Sequence, residues 1–233
     1  MVERWVIAAA IGVLVAPLLR ALIFRHSVDV GQHWRRSCSS CDRPVYALSV
    51  RGRCFHCRTR LGPPPFAVEA VAACALALLA WRLPMSLPLL AFGWIAVLGV
   101  ALAFIDWAVH RLPDRLTLPA FLGAVGLLAL DNQPGRLGTA LLCALAMAGC
   151  YLMLTLLSRG ALGLGDGKLA LSLGLALGWF GGIVTVYGAA AGFILSGLYG
   201  GAMLIAGRLG RKDSLAHGPF MLLGTLTALA FLT

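Results

Sequence analysis

Charge is what this chain has least of. Only 12% of its 233 residues are Asp, Glu, Lys or Arg, and the acids number nine. A soluble domain needs far more charge to cover its surface, so a water-soluble fold is excluded. Polar stretches are scarce as well, the one sizeable example being roughly 25–64. The start, Met1-Val2-Glu3-Arg4, makes a poor basic n-region, and the apolar run behind it exceeds the usual signal-peptide core. That run is therefore expected to stay as a helix. A phosphate-cradling P-loop is also excluded, because Lys168 is followed by Leu169 where that motif needs Ser or Thr.

Apolar residues take the place of charge, at 60% of the chain with a mean hydropathy of +0.89. Apolar runs near 4–24, 65–82, 86–105, 117–130, 136–158, 168–181, 183–207 and 215–233 are mostly of spanning length, about 17–25 residues per helix. The expected fold is an all-α polytopic membrane protein with about eight transmembrane helices. The runs at 117–130 and 168–181 are short, which requires tilt, extension into their flanks or shielding by neighbours. The parts are a first helix (1–24), a polar loop (25–64) and a seven-helix core (65–233). Eight spans with an external N-terminus put sixteen of the nineteen Lys and Arg residues inside, leaving Arg4, Arg82 and Arg136 outside. The net charge of +10 then follows from topology and from contact with anionic lipid headgroups. Arg20 and Arg25, closing the first helix, are expected to snorkel to the inner interface.

The polar loop holds Cys38-Ser39-Ser40-Cys41 and Cys54-Phe55-His56-Cys57, two CxxC pairs separated by twelve residues. This is the spacing of two knuckles that each present two thiolates to one tetrahedral zinc. Disulfides are the rival for four cysteines, but the charge rule puts the loop in the reducing cytoplasm. His56 is expected outside the ligand set. Cys74, Cys143 and Cys150 lie in apolar runs and are expected to be small buried residues. A basic zinc loop also fits a nucleic-acid module, yet only Trp34, Tyr46 and Phe55 offer stacking rings, and nucleic acid is not expected as a partner.

Gly62-Pro63-Pro64-Pro65 ends the loop, and Glu69 follows within about a turn of the next helix start, where the positive helix end favours an acid. It is read as an interfacial acid or a contact of the site. Two further acids define that site. Asp106 closes the run ending Phe104-Ile105-Asp106-Trp107, and Asp166 lies in Gly163-Leu164-Gly165-Asp166-Gly167-Lys168-Leu169, where another run begins. Opposite chain directions bring both to one membrane level. Asp114, behind Pro113, is the other candidate for the second acid and reads as a turn or cap residue. A carboxylate in a bilayer is costly and marks function. Two that share a proton make an aspartic protease, whereas ion transport is the alternative use of such a pair. The glycines at 163, 165 and 167 leave room for an extended peptide beside Asp166.

Three segments together resemble the type IV prepilin peptidases, membrane aspartic proteases of the GxGD class. They are Phe104-Ile105-Asp106, then Leu112-Pro113-Asp114-Arg115-Leu116-Thr117-Leu118-Pro119, and Gly163-Leu164-Gly165-Asp166-Gly167-Lys168-Leu169 with Gly174 and Gly178-Trp179. The two CxxC pairs, Glu69 and Gly218-Pro219-Phe220 extend the likeness over most of the chain. The resemblance implies that Asp106 and Asp166 are the catalytic pair in the bacterial inner membrane, near its cytoplasmic face. It further implies cleavage of prepilin or pseudopilin leaders after a glycine, zinc in the tetracysteine loop and, as in many members, N-methylation from S-adenosylmethionine. Gly163, Gly165, Gly167, Lys168 and Glu69 are the expected supporting residues. The twelve-residue cysteine spacing is shorter than is usual in that family. An asparagine often found at the end of the first helix is absent around Ala16-Pro17-Leu18-Leu19.

Overall fold

The protein is described by a computed structural model covering residues 3–29, 31–157, 163–208, 210 and 215–232. Arg159, Arg211 and Lys212, three of the sixteen basic residues expected inside, lie outside the described residues. Among those residues the chain forms eight helices: α1 (Arg4–His26), α2 (Ala67–Arg82), α3 (Leu87–Val109), α4 (Asp114–Ala129), α5 (Pro134–Leu157), α6 (Leu164–Gly178), α7 (Gly182–Ile205) and α8 (Gly218–Leu232). Each expected apolar run becomes one helix. Four of them, α1, α3, α5 and α7, are long and apolar enough to cross a membrane.

The other four are shorter because of what breaks them. α4 and α6 have 16 and 15 residues, as their short runs imply, and α2 and α8 have 16 and 15. α2 cannot extend backwards, since three prolines precede it and Phe66 adopts a left-handed φ of 60°. In α8 the Gly218-Pro219 pair starts the helix, so Pro219 acts as a helix-start proline.

Consecutive helices pack as hairpins, α1 on α2, α3 on α4, α5 on α6 and α7 on α8, while α3 and α6 run through the middle and touch most of the others. Two-thirds of the most apolar window of α3 is buried, against 17% for α7. Large apolar side chains such as Leu14, Leu142, Leu156, Ile194 and Leu198 point outwards, the pattern of a surface solvated by lipid. With no hydrophobic drive between helices in lipid, close approach of small residues has to hold them together. At Gly178 an added Cβ would lie 2.5 Å from the Cβ of Cys143 and 2.9 Å from the Cα of Ala140, so α5 and α6 meet backbone to backbone. Cys74 and Cys150 are exposed and Cys143 is half-buried, contrary to the expectation of burial. In a membrane fold an outward position is apolar too, so a cysteine there needs no core.

The polar loop folds onto the end of α1. Cys38, Val45, Leu48 and Cys54 form a small cluster with Ala21 and Phe24. Arg20 does not snorkel. It is fully buried and donates to both carboxylate oxygens of Glu69, at 2.8 and 2.6 Å, and to the carbonyls of Pro63 and Pro64, at 3.0 and 2.9 Å. The guanidinium thus ties α1, the loop exit and α2 at one point, and the acid at position 69 is what draws it inward.

Candidate active site and metal centre

The two acids meet by the route their sequence positions imply. Asp106 sits in the last turn of α3 and Asp166 in the first turn of α6, and both line a cavity of about 770 Å³. Both are nearly buried, at 5% and 6% exposure.

Each acid is held by a backbone amide at a helix start. The Gly218 N–H, opening α8, donates to Oδ2 of Asp106 at 2.9 Å. The Gly163 N–H, just before α6, donates to Oδ2 of Asp166 at 3.2 Å. Helix N-termini favour negative charge, so both ends provide for a carboxylate. Among the described residues no hydrogen bond engages Oδ1 of either acid, which leaves one oxygen of each free to handle water or substrate.

The connection from α3 to α4 forms the facing wall. His110 ends α3 in a left-handed conformation (φ 48°), and the chain then runs through Arg111, Leu112 and Pro113 into α4. Gly165 lies against it, and a Cβ there would come within 2.8 Å of the Leu112 Cβ. Gly163, Gly165 and Lys168 line the cavity. Gly167 instead faces α5 near the Ala148 carbonyl. Asp114 occupies the first turn of α4 and accepts from Lys168 at 2.5 Å, an exposed pair at the cavity rim. Glu69 does not line this cavity; its place is the Arg20 clamp.

Two contributions to the cavity were not singled out in the sequence as parts of the site. Trp34 hangs from the tetracysteine loop into the cavity, with the Arg115 guanidinium 4.0 Å over its ring and His26 at 4.8 Å. His217 enters from the segment before α8, and behind it lies Tyr151 of α5. A lone tyrosine inside an apolar run was the available signal for the second of these.

The four loop cysteines converge, with sulfurs all within 4.8 Å of one another. Cys38 and Cys57 lie 3.4 Å apart, and Cys41 and Cys54 3.9 Å apart. A tetrahedral zinc with sulfur ligands at about 2.3 Å would space them by about 3.8 Å. The two halves repeat one turn. Cys38 N donates to Arg43 O and Asp42 N to Cys38 O, while Cys54 N donates to Thr59 O and Arg58 N to Cys54 O. Asp42 and Arg58, each following a second cysteine, share a left-handed φ of 51° and 59°. His56 lies outside the group and accepts from Arg43 at 3.1 Å.

Beside the knuckles a larger cleft of about 1120 Å³ opens between the loop and α4, sharing Trp34 and Arg115 with the first cavity. Arg35, Arg36, Arg60 and Arg115 line it. Among the described residues none of these four makes an ion pair.

Comparison with known proteins supplies the name of this arrangement. Residues 89–205, which carry both acids, match the type IV leader peptidase family. A prepilin leader peptidase/N-methyltransferase from Burkholderia pseudomallei (strain 1026b) is 35% identical over 220 residues, covering 84% of this chain and 67% of that protein. Proteins of the same description from Bacillus subtilis (strain 168) and Neisseria gonorrhoeae are 30% and 26% identical, over 83% and 91% of this chain and 80% and 85% of theirs. No solved structure matches. With two acids meeting in one cavity inside the matched segment, and with relatives of this similarity, the chain belongs to the type IV leader peptidase family.

Proposed function

We propose that this membrane enzyme removes the N-terminal leader of type IV prepilins or pseudopilins, with Asp106 and Asp166 as its catalytic pair. The observation that carries the assignment is that each acid has one oxygen held by a backbone amide at a helix start and the other without a hydrogen bond among the described residues, in one cavity. Two acids facing one cavity favour sharing one proton. The ionised member takes a proton from water, which attacks the scissile carbonyl. The protonated member donates to that carbonyl oxygen, and no covalent intermediate is needed. Gly163 brings no side chain to the cavity wall beside Asp166, which suits an extended peptide there. The lysine and arginine distribution supports an inner-membrane protein with loop and acids on the cytoplasmic side. In this reading residues 65–233 are the catalytic core.

The four cysteines suit a structural zinc. It would fix the 38–57 loop and hence the wall that Trp34 supplies. Methyl transfer to the new amino terminus is the second activity that the relatives' names carry, and S-adenosylmethionine is the donor implied. The large cleft does not suit that donor. S-adenosylmethionine carries a net positive charge, whereas the lining offers four arginines and, among the described residues, no carboxylate. An anionic lipid headgroup is the partner its charge favours.

The test is cleavage of a prepilin in membranes containing wild type, Asp106→Asn or Asp166→Asn at matched expression. Leader loss with wild type alone is expected, because an amide cannot share the proton. Cleavage retained in either variant would remove that residue from the pair.

A further inference from the structure

Asp106 owes its amide donor to the peptide between His217 and Gly218, and three helices hold that peptide. His217 Nε2 is 3.2 Å from the buried hydroxyl of Tyr151 on α5. Its ring packs on Phe193 of α7, with centroids 4.9 Å apart, and Phe193 in turn stacks on Tyr151 at 5.1 Å and 17°. The His217 carbonyl accepts from the amides of Phe220 and Met221, closing the first turn of α8. The next N–H in the chain, that of Gly218, therefore has one direction left, and it meets Oδ2 of Asp106.

A phenylalanine at 151 or 217 would fill the same apolar niche and keep the ring stacking. The hydroxyl and the imidazole add only the hydrogen bond between them, in a place where an unpaired polar atom is costly. We propose that the Tyr151–His217 hydrogen bond is a positioning device for the aspartate pair. By fixing the His217–Gly218 peptide it keeps the Gly218 amide on one oxygen of Asp106 and turns the other oxygen towards the cavity. Neither residue needs to touch substrate for this, although His217 lines the same cavity as the two acids.

The inference rests on the reading that Asp106 and Asp166 carry out cleavage. Kinetics on a purified type IV prepilin in detergent micelles test it, using wild type, Tyr151→Phe, His217→Gln, His217→Phe, the Tyr151→Phe/His217→Phe double variant, and Asp106→Asn as the control. Tyr151→Phe keeps the stack and loses the hydroxyl, so kcat is expected to fall about tenfold with KM unchanged. His217→Gln, which still pairs with the hydroxyl, should retain most of the activity, while His217→Phe should match Tyr151→Phe. The double variant should be no worse than either single one. Wild-type kcat in Tyr151→Phe, a loss confined to KM, or additive losses in the double variant would overturn the proposal. Cleavage surviving in Asp106→Asn would instead overturn the dyad itself. If His217→Phe does not accumulate, Tyr151→Phe and His217→Gln decide the matter.

Discussion

Glu69 to alanine is the substitution that best separates scaffold from site. The carboxylate is paired with an arginine whose side chain is fully buried, and its own side chain is 7% exposed. Alanine removes two of the four hydrogen bonds to the guanidinium and leaves a buried cation with only the Pro63 and Pro64 carbonyls. Breaking one side of a buried ion pair costs about 3–5 kcal/mol, because the remaining charge is uncompensated. The two surviving carbonyl bonds place this case near the lower end, about 3 kcal/mol. Replacing both partners, Arg20→Met with Glu69→Leu, removes the orphaned charge and should restore much of the loss. Thermal unfolding in detergent reads the stability, and proteolysis at the loop reports its release from α1. Prepilin cleavage by the fraction that keeps the loop docked should stay near wild type. A Glu69→Ala protein with unchanged melting and no cleavage would refute the clamp and return Glu69 to the active site.

Two further substitutions follow from the geometry. Metal analysis of reduced, purified protein should find one zinc per chain, and Cys57→Ser should lower it and slow cleavage through the Trp34 wall; metal-free wild type would defeat the zinc assignment. Gly165→Ala drives a methyl group to within 2.8 Å of Leu112, an overpacking worth about 1–3 kcal/mol that shifts the start of α6. Its kcat should drop more than its melting temperature alone implies, and unaltered cleavage would show that the close approach does not matter to Asp166.

The helices and the meeting of the two acids were legible because both depend on local pattern. Apolar runs set α1 to α8, and the chain direction of α3 and α6 brings Asp106 and Asp166 to one cavity. The cysteine knuckles were legible for the same reason, since each is a closed turn of a few residues. Partner identity was not. Nothing near Arg20 in the chain shows that Glu69, 49 residues on, will draw it inward, and a basic residue at a membrane helix end ordinarily snorkels. Cys74 and Cys150 looked like core residues because hydropathy does not tell lipid from protein interior.

The amide on Asp106 shows why that boundary falls where it does. Its donor lies 112 residues away, in a glycine whose sequence context signals only a helix start. What selects that N–H is the arrangement of Tyr151 on α5, Phe193 on α7 and His217 just before α8. Each of these residues taken alone is an ordinary apolar or aromatic core residue. A catalytic acid can be found from one stretch of sequence because its cost in a membrane marks it wherever it lies. The group that orients it is a neutral backbone amide and carries no such mark. Its direction follows from the packing of α5, α7 and α8, and only a change that keeps the packing and removes the hydrogen bond, as Tyr151→Phe does, can show whether the direction matters to the chemistry.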